Sequence, residues 1–188
     1  MKEFYPDAEE HIPTNCPEAR GKPVQINLFV DADHAGNVVT WRSHTGILIY
    51  LNMAPIYWYS KKQSTIETST FSSEFVALKI ACEKVISLRY KLRMFGVPLE
   101  GAANIFCDNE AVFKSASIAL SVLKRKHNLI AYHKTRECVA AGIVNIFKED
   151  SKTNLADILT KCLGKVKRIF LRSRIMYNCQ VKSIESRN

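Results

Sequence analysis

Three short segments of alternating apolar period, followed by an abrupt switch to helical period, set the tightest limit on what this chain can fold into. Val24, Ile26, Leu28 and Val30 alternate with Gln25, Asn27, Phe29 and Asp31, which is the period of a strand. H-T-G-I-L-I-Y-L-N, beginning at His44, reads as a second strand, and Ala54-Pro55 turns the chain into a third, I-Y-W-Y-S-K-K. Connections this short join antiparallel neighbours. Phe71, Phe75, Leu78, Cys82, Val85 and Leu92 then follow helical steps, with Lys79, Lys84, Lys91 and Arg93 off that stripe. Serine and threonine at 68–73 offer N-caps and Gly96-Val97-Pro98 stops the run, so the pattern predicts an amphipathic helix of about seven turns.

Downstream, N-I-F-C predicts a fourth strand ending at Asp108, residues 109–116 a short helix, and 123–141 a longer one ending at Gly142. I-V-N-I-F-K predicts a fifth strand, and N-L-A-D-I-L-T-K-C-L opens a last helix with Asn154 as its cap. Three hairpin-linked strands followed by crossover units point to an α/β fold, a mixed sheet flanked by helices. At 188 residues the chain is about one domain long and can bury a core without disulfide or metal staples. Residues 1–23 carry Pro6, Pro13, Pro17 and Pro23 and read as a linker.

Composition excludes several classes. The most apolar run, Ile47 to Tyr59, is broken by Asn52 and Pro55 and falls short of a membrane span. The opening M-K-E-F-Y-P-D-A-E-E lacks the basic and apolar regions of a signal peptide. Cys16, Cys82, Cys107, Cys138, Cys162 and Cys179 form no C-x-x-C pair, which argues against a zinc site and for reduced, buried thiols. Net charge is +9 and is concentrated late: from Lys161 onward, Lys161, Lys165, Lys167, Arg168, Arg172, Arg174, Lys182 and Arg187 face only Glu185. A basic tail over 162–188 suits phosphate backbones, and equally suits a solvated end.

The acids outside the polar lead are few, so their positions matter. Asp31 and Asp33 lie where an apolar strand ends, Glu74 sits between Phe71 and Leu78 on the long helix, Asp108 ends the fourth strand, and Asp157 lies between Ala156 and Ile158. Each has an ordinary reading as a turn, a cap, a dipole partner or half of an ion pair. Four carboxylates gathered at one sheet edge would repel one another, and divalent cations relieve that repulsion. A carboxylate cluster holding two Mg²⁺ ions roughly 4 Å apart is an arrangement that cleaves phosphodiesters.

F-V-D-A-D-H-A-G, R-S-H-T-G, S-K-K-Q, S-S-E-F-V-A-L, F-C-D-N-E-A-V, Lys126-His127 with Y-H-K-T-R-E, and N-L-A-D-I-L-T-K occur in that order. Together they resemble the ribonuclease H domain of copia-type LTR retrotransposon polyproteins, over about residues 24–161. The resemblance implies a ribonuclease H-like five-stranded sheet, three antiparallel strands then two parallel. It implies catalytic, metal-binding roles for Asp31, Glu74, Asp108 and Asp157, with two Mg²⁺ ions or Mn²⁺ in their place. Hydrolysis of the RNA strand of RNA–DNA hybrids during reverse transcription is the implied activity. The alternative is a catalytically silent nucleic-acid-binding remnant. The reverse transcriptase portion of the same polyprotein is the expected partner, with no membrane, in the cytoplasm or virus-like particles and with a nuclear stage. Protease-type D-[ST]-G and the adjacent aspartate pair of a reverse transcriptase are absent from this chain.

Lys61-Lys62 after the third strand and Lys124-Arg125-Lys126 before His127 are candidates for phosphate contacts. Asn109, Ser72 and Ser73 adjoin the acids and are candidates for sensing the sugars of a hybrid. Asp33 is expected to point the same way as Asp31, and Trp58 to pack in the core. The loop K-E-D-S-K-T before the last helix lacks the histidine common in cellular ribonucleases H. His127 and His133 are six positions apart, on different helix faces, and are expected to be structural or to face substrate rather than share a metal.

Overall fold

The computed structural model describes residues 1–121, 123 and 128–176. β1 (Ile26–Asp33) lies at the centre of a five-stranded sheet. β2 (His44–Leu51) and β3 (Ala54–Lys62) follow it as an antiparallel meander, because the two connections are too short for a crossover. α1 (Thr70–Met94) carries the chain back over the sheet, so that β4 (Ala103–Cys107) pairs with β1 in parallel on its other side. α2 (Glu110–Ser117) and α3 (Leu129–Ala140) precede β5 (Val144–Lys148), which is parallel to β4. A 3₁₀ turn (Leu155–Leu159) and α4 (Lys165–Ile175) complete the described fold. The sheet order β3-β2-β1-β4-β5 is the mixed sheet expected, three antiparallel strands and then two parallel.

The long helix forms where the period switches. Ser69 caps it by accepting a hydrogen bond from the Ser72 amide at 3.2 Å, and Gly96 ends it at φ +69°, a conformation that a side chain disfavours. Its apolar stripe (Phe75, Leu78, Cys82 and Val85) is fully buried against Ile26, Leu28 and Val30 of β1. Phe29, one residue out of phase with that row, faces the opposite side of the sheet. There it packs with a smaller cluster of Leu48, Tyr50, Leu155 and Leu171 under the 3₁₀ turn and α4.

Several expectations change. The last helix is two pieces: N-L-A-D-I-L forms only a 3₁₀ turn, and Gly164 starts a separate α4. Asn154 caps the turn as expected, accepting from the Ala156 amide at 3.1 Å, while its amide group donates to the Val30 carbonyl at 3.0 Å. That bond pins the turn to β1. The basic tail begins as α4, with Leu171 fully buried, rather than as an unattached end. The polar lead has no strand, yet it is tied down: both oxygens of Glu10 accept from Arg89 at 2.7 Å, one of them also from Arg93 at 2.7 Å. Trp58 is 69% exposed, because β3 is an edge strand on which Tyr57 and Tyr59 take the inward positions. Of the described cysteines, Cys82, Cys107 and Cys138 are buried free thiols, Cys16 is half-buried and Cys162 is exposed. The predicted 123–141 helix is described only as α3, and Lys124, Arg125, Lys126 and His127 lie outside the described residues, as does Cys179.

Candidate active site

Asp31 reaches the site from β1, Glu74 from the second turn of α1 and Asp108 from the residue after β4. Parallel pairing of β1 with β4 brings both strand ends to the same sheet edge, and α1 lies across it. One carboxylate oxygen from each of the three lies within 4.8 Å of the others, the one such group of acids, histidines or cysteines among the described residues. Asp31 is fully buried and Glu74 is 5% exposed. Such burial of like charges penalises the ionised forms. Burial raises the Asp31 carboxyl to about 6, with bonds from Thr160 and Lys161 opposing the rise and the Asp157 charge adding to it. Burial, then the charges of Asp31 and Asp108, push Glu74 well above the carboxylate range, while a hydrogen bond from the Ala32 amide partly offsets this. The buried Cys107 thiol beside them is pushed up to about 12 and stays protonated at neutral pH.

The three acids fit a hard divalent cation. All donors are oxygen and their geometry converges, and burial together with the neighbouring carboxylates raises Glu74, a cost that a bound cation would relieve.

Asp157 is placed differently from the other three. It is 2% exposed on the 3₁₀ turn and stands outside the three-acid group. Lys161 Nζ lies 2.9 Å from Asp31 Oδ1 and 2.9 Å from Asp157 Oδ1, so one ammonium bridges the two carboxylates. Lys167 of α4 donates to the other oxygen of Asp157. Thr160 donates to Asp31 Oδ2. Those two carboxylates hold the Lys161 ammonium well above the usual lysine range, against the opposing effect of its burial. Lys161, Lys167 and Thr160 are not legible as site residues from charge alone, since both lysines fall in the basic stretch that ends the chain. The signal available is the i, i+4 spacing of Asp157 and Lys161.

The remaining candidates divide. Lys61 and Lys62 are exposed at the end of β3, level with Thr45 and His44 of β2 and hence with Ala32 and Asp33 of β1, which puts them on the same sheet end as the acids. Ser72 is fully buried and its hydroxyl is engaged with Ser69 and with the Asn128 amide, each at 2.9 Å. Ser73 is fully buried and donates to the Thr70 carbonyl. Asn109 caps α2, accepting from the Ala111 and Val112 amides at 3.1 and 3.2 Å. His133 meets the Tyr5 hydroxyl at 2.7 Å, which ties α3 to the lead.

Solved structures share this arrangement of sheet and helices. The N-terminal RNase H domain of rv2228c from Mycobacterium tuberculosis, studied as a fusion with maltose-binding protein, superposes with a TM-score of 0.56 over 73% of this chain and 91% of that one, at 15% identity. The fold is that of ribonuclease H. LC11-RNase H1 in complex with RNA/DNA hybrid gives a TM-score of 0.56 at 17% identity, covering 72% of this chain and 94% of that chain. The ribonuclease H fold comes here on a sequence that resembles transposon polyproteins. Retrovirus-related Pol polyproteins from transposons RE2 of Arabidopsis thaliana and TNT 1-94 of Nicotiana tabacum are each 28% identical, over 78% and 74% of the chain. The chain spans about a tenth of the length of these relatives, 10% in each case. No family model matches it. Among the described residues, no helix is long and apolar enough to cross a membrane.

Proposed function

We propose that this chain is a divalent-metal-dependent endonuclease that hydrolyses the RNA strand of RNA–DNA hybrids, acting in the reverse transcription of a retrotransposon. The convergence of Asp31, Glu74 and Asp108 at one end of a ribonuclease H fold carries this reading. Two kinds of relative support it: a neighbour of the same fold was solved with an RNA/DNA hybrid, and the sequence relatives are Pol polyproteins.

Asp31, Glu74 and Asp108 would hold the cation, Mg²⁺ or Mn²⁺. When bound, it would supply Lewis-acid polarisation of the phosphate and lower the pKa of an attacking water. The residues of the chain do the rest. Burial of Asp31 and Glu74 against β1 fixes their oxygens before substrate arrives, so no reorganisation is needed at the moment of reaction. The exposed Lys61 and Lys62 meet backbone phosphates and set the register of the duplex on the sheet edge. Asn109 holds the start of α2, and with it the backbone at Asp108, through its cap. A second ion, as a two-ion mechanism requires, would be held by Asp31 and Asp157. Four acids in all then serve the reaction, and the reverse transcriptase segment of the polyprotein would deliver the hybrid in a cytoplasmic virus-like particle.

The test is cleavage of an end-labelled RNA–DNA hybrid by the purified chain in Mg²⁺, beside Asp31→Asn. Cleavage by the parent alone supports the enzyme and its site together. Equal cleavage by both assigns the activity to a contaminating nuclease. A folded parent that binds hybrid in chelator but never yields product overturns the reading in favour of a binding remnant.

A further inference from the structure

Three acids converge at this sheet end, and beside them Asp157 is paired with two part-exposed lysines whose ammonium groups reach buried carboxylates. Lys161 is i+4 to Asp157, and its ammonium sits at 2.9 Å from that carboxylate and at 2.9 Å from fully buried Asp31. Lys167 takes the other oxygen of Asp157. Both Asp157 oxygens therefore already have a cationic partner, and one Asp31 oxygen is held by the same ammonium. Thr160 donates to the other Asp31 oxygen, a neutral bond that leaves that oxygen a lone pair for a cation. The three-acid group that could hold an ion leaves Asp157 out. A positive charge is thus already tethered between the first and the last of the four acids.

We propose that Lys161 is the resident cation of the Asp31–Asp157 position, so that this chain takes up one divalent ion freely at Asp31, Glu74 and Asp108, and a second only by displacing the Lys161 ammonium. This rests on the metal-dependent reading above. The physical basis is charge balance: a carboxylate pair already neutralised by an ammonium at hydrogen-bond distance has little left to offer a divalent ion. The tether makes the difference between the two positions. Lys161 follows the 3₁₀ turn that Asn154 pins to β1, so its ammonium is held at the site at a high effective concentration. Lys167 reinforces it by engaging the second oxygen of Asp157.

Mn²⁺ alone is the probe, with free ion counted by its electron paramagnetic resonance signal as the purified full chain is titrated, without substrate. The parent is expected to bind one Mn²⁺ before any second uptake begins. Lys161→Ala and Lys161→Gln are expected to bind two, with second-site affinity at least about tenfold above the parent's, a modest demand for removing one positive charge a few ångströms away. Circular dichroism confirms folding of each variant; the glutamine, one atom shorter and neutral, keeps most of the stem and an N–H donor should the alanine unfold. Two ions of equal affinity on the parent overturn the proposal without any variant. One ion on parent and folded variants alike overturns it and leaves the functional reading standing. No Mn²⁺ uptake by a folded parent overturns both.

Discussion

Gly46 lies directly across the β1–β2 ladder from Asp31, and a methyl group added there would come within 2.6 Å of the Thr160 side chain and 2.9 Å of the Ala156 carbonyl. The absence of a side chain at Gly46 is what lets the 3₁₀ turn settle against the sheet beside Asp31. Gly46→Ala is expected to lift that turn, separating Asp157, Thr160 and Lys161 from Asp31. Overpacking of this kind costs about 1–3 kcal/mol. Urea unfolding should show the loss, and hybrid cleavage should fall more steeply than stability. Unchanged cleavage at unchanged stability would mean that the turn's position is irrelevant to the site.

Asp108 stands at the end of β4 with its carboxylate turned to Asp31 and Glu74. Asp108→Asn keeps the shape and removes one charge from a group whose charges oppose one another. The variant should fold as well as the parent and lose cleavage by at least about 100-fold, the scale on which a lost charge-stabilising group is felt. Thermal melting with and without Mn²⁺ is the companion measurement. The ion should raise the parent's Tm and leave the variant's nearly unmoved, because binding only the folded state stabilises it by mass action. Full activity in the variant would remove Asp108 from the site.

Much of this architecture is legible in the sequence. The period switch near residue 70 and the two short connections before it dictate the meander and the helix that crosses it. Asp31, Glu74 and Asp108 stand out because each is a charge in an apolar setting. Asp157 stands out for the same reason, and its burial follows from that setting, but its partners do not. Lys161 and Lys167 belong to a run of basic residues whose composition reads as tail, and only the docking of α4 and the turn shows that two of them point inward. The burial of Ser72 and its bond to Asn128 are not legible, because proximity in sequence to Glu74 says nothing about which helix face is buried. Trp58 fails as a core residue because alternation tells that one row faces in, not which row. The docking of the lead is not legible because Glu10 finds its partners on α1, 79 and 83 positions away.

Leu171 is the buried anchor of α4, packed with Leu48, Tyr50 and Leu155 on the second face of the sheet. Leu171→Ala should cost about 2–5 kcal/mol, the range for emptying a leucine site in a core. The same change should loosen Lys167 from Asp157, since α4 carries both Leu171 and Lys167. Denaturant unfolding reads the first effect and Mn²⁺ titration the second. A folded variant with parental stability would show that α4 is dispensable to this face.

Glu10 contributes to the pH dependence of the fold at the acid end. Its burial alone would raise its carboxyl, but hydrogen bonds and charge from Arg89 and Arg93 more than offset this and hold it below the usual value of 4.5. A carboxyl lowered on folding contributes stability that is fully present above its unfolded value and is lost as pH falls through the folded one. Arg89 is 4% exposed; without the Glu10 charge it would keep its bond to the Gly101 carbonyl, at 2.7 Å, and lose its ionic partner. Glu10→Gln should therefore cost about 1–3 kcal/mol at pH 7, the scale of a lost charged hydrogen bond. The gap between parent and variant should close as pH is lowered below 4.5, where the parent protonates the same group. Thermal melts from neutral to strongly acid pH measure it directly. A gap that stays constant over that range would show that the Glu10 charge does not hold the lead to α1.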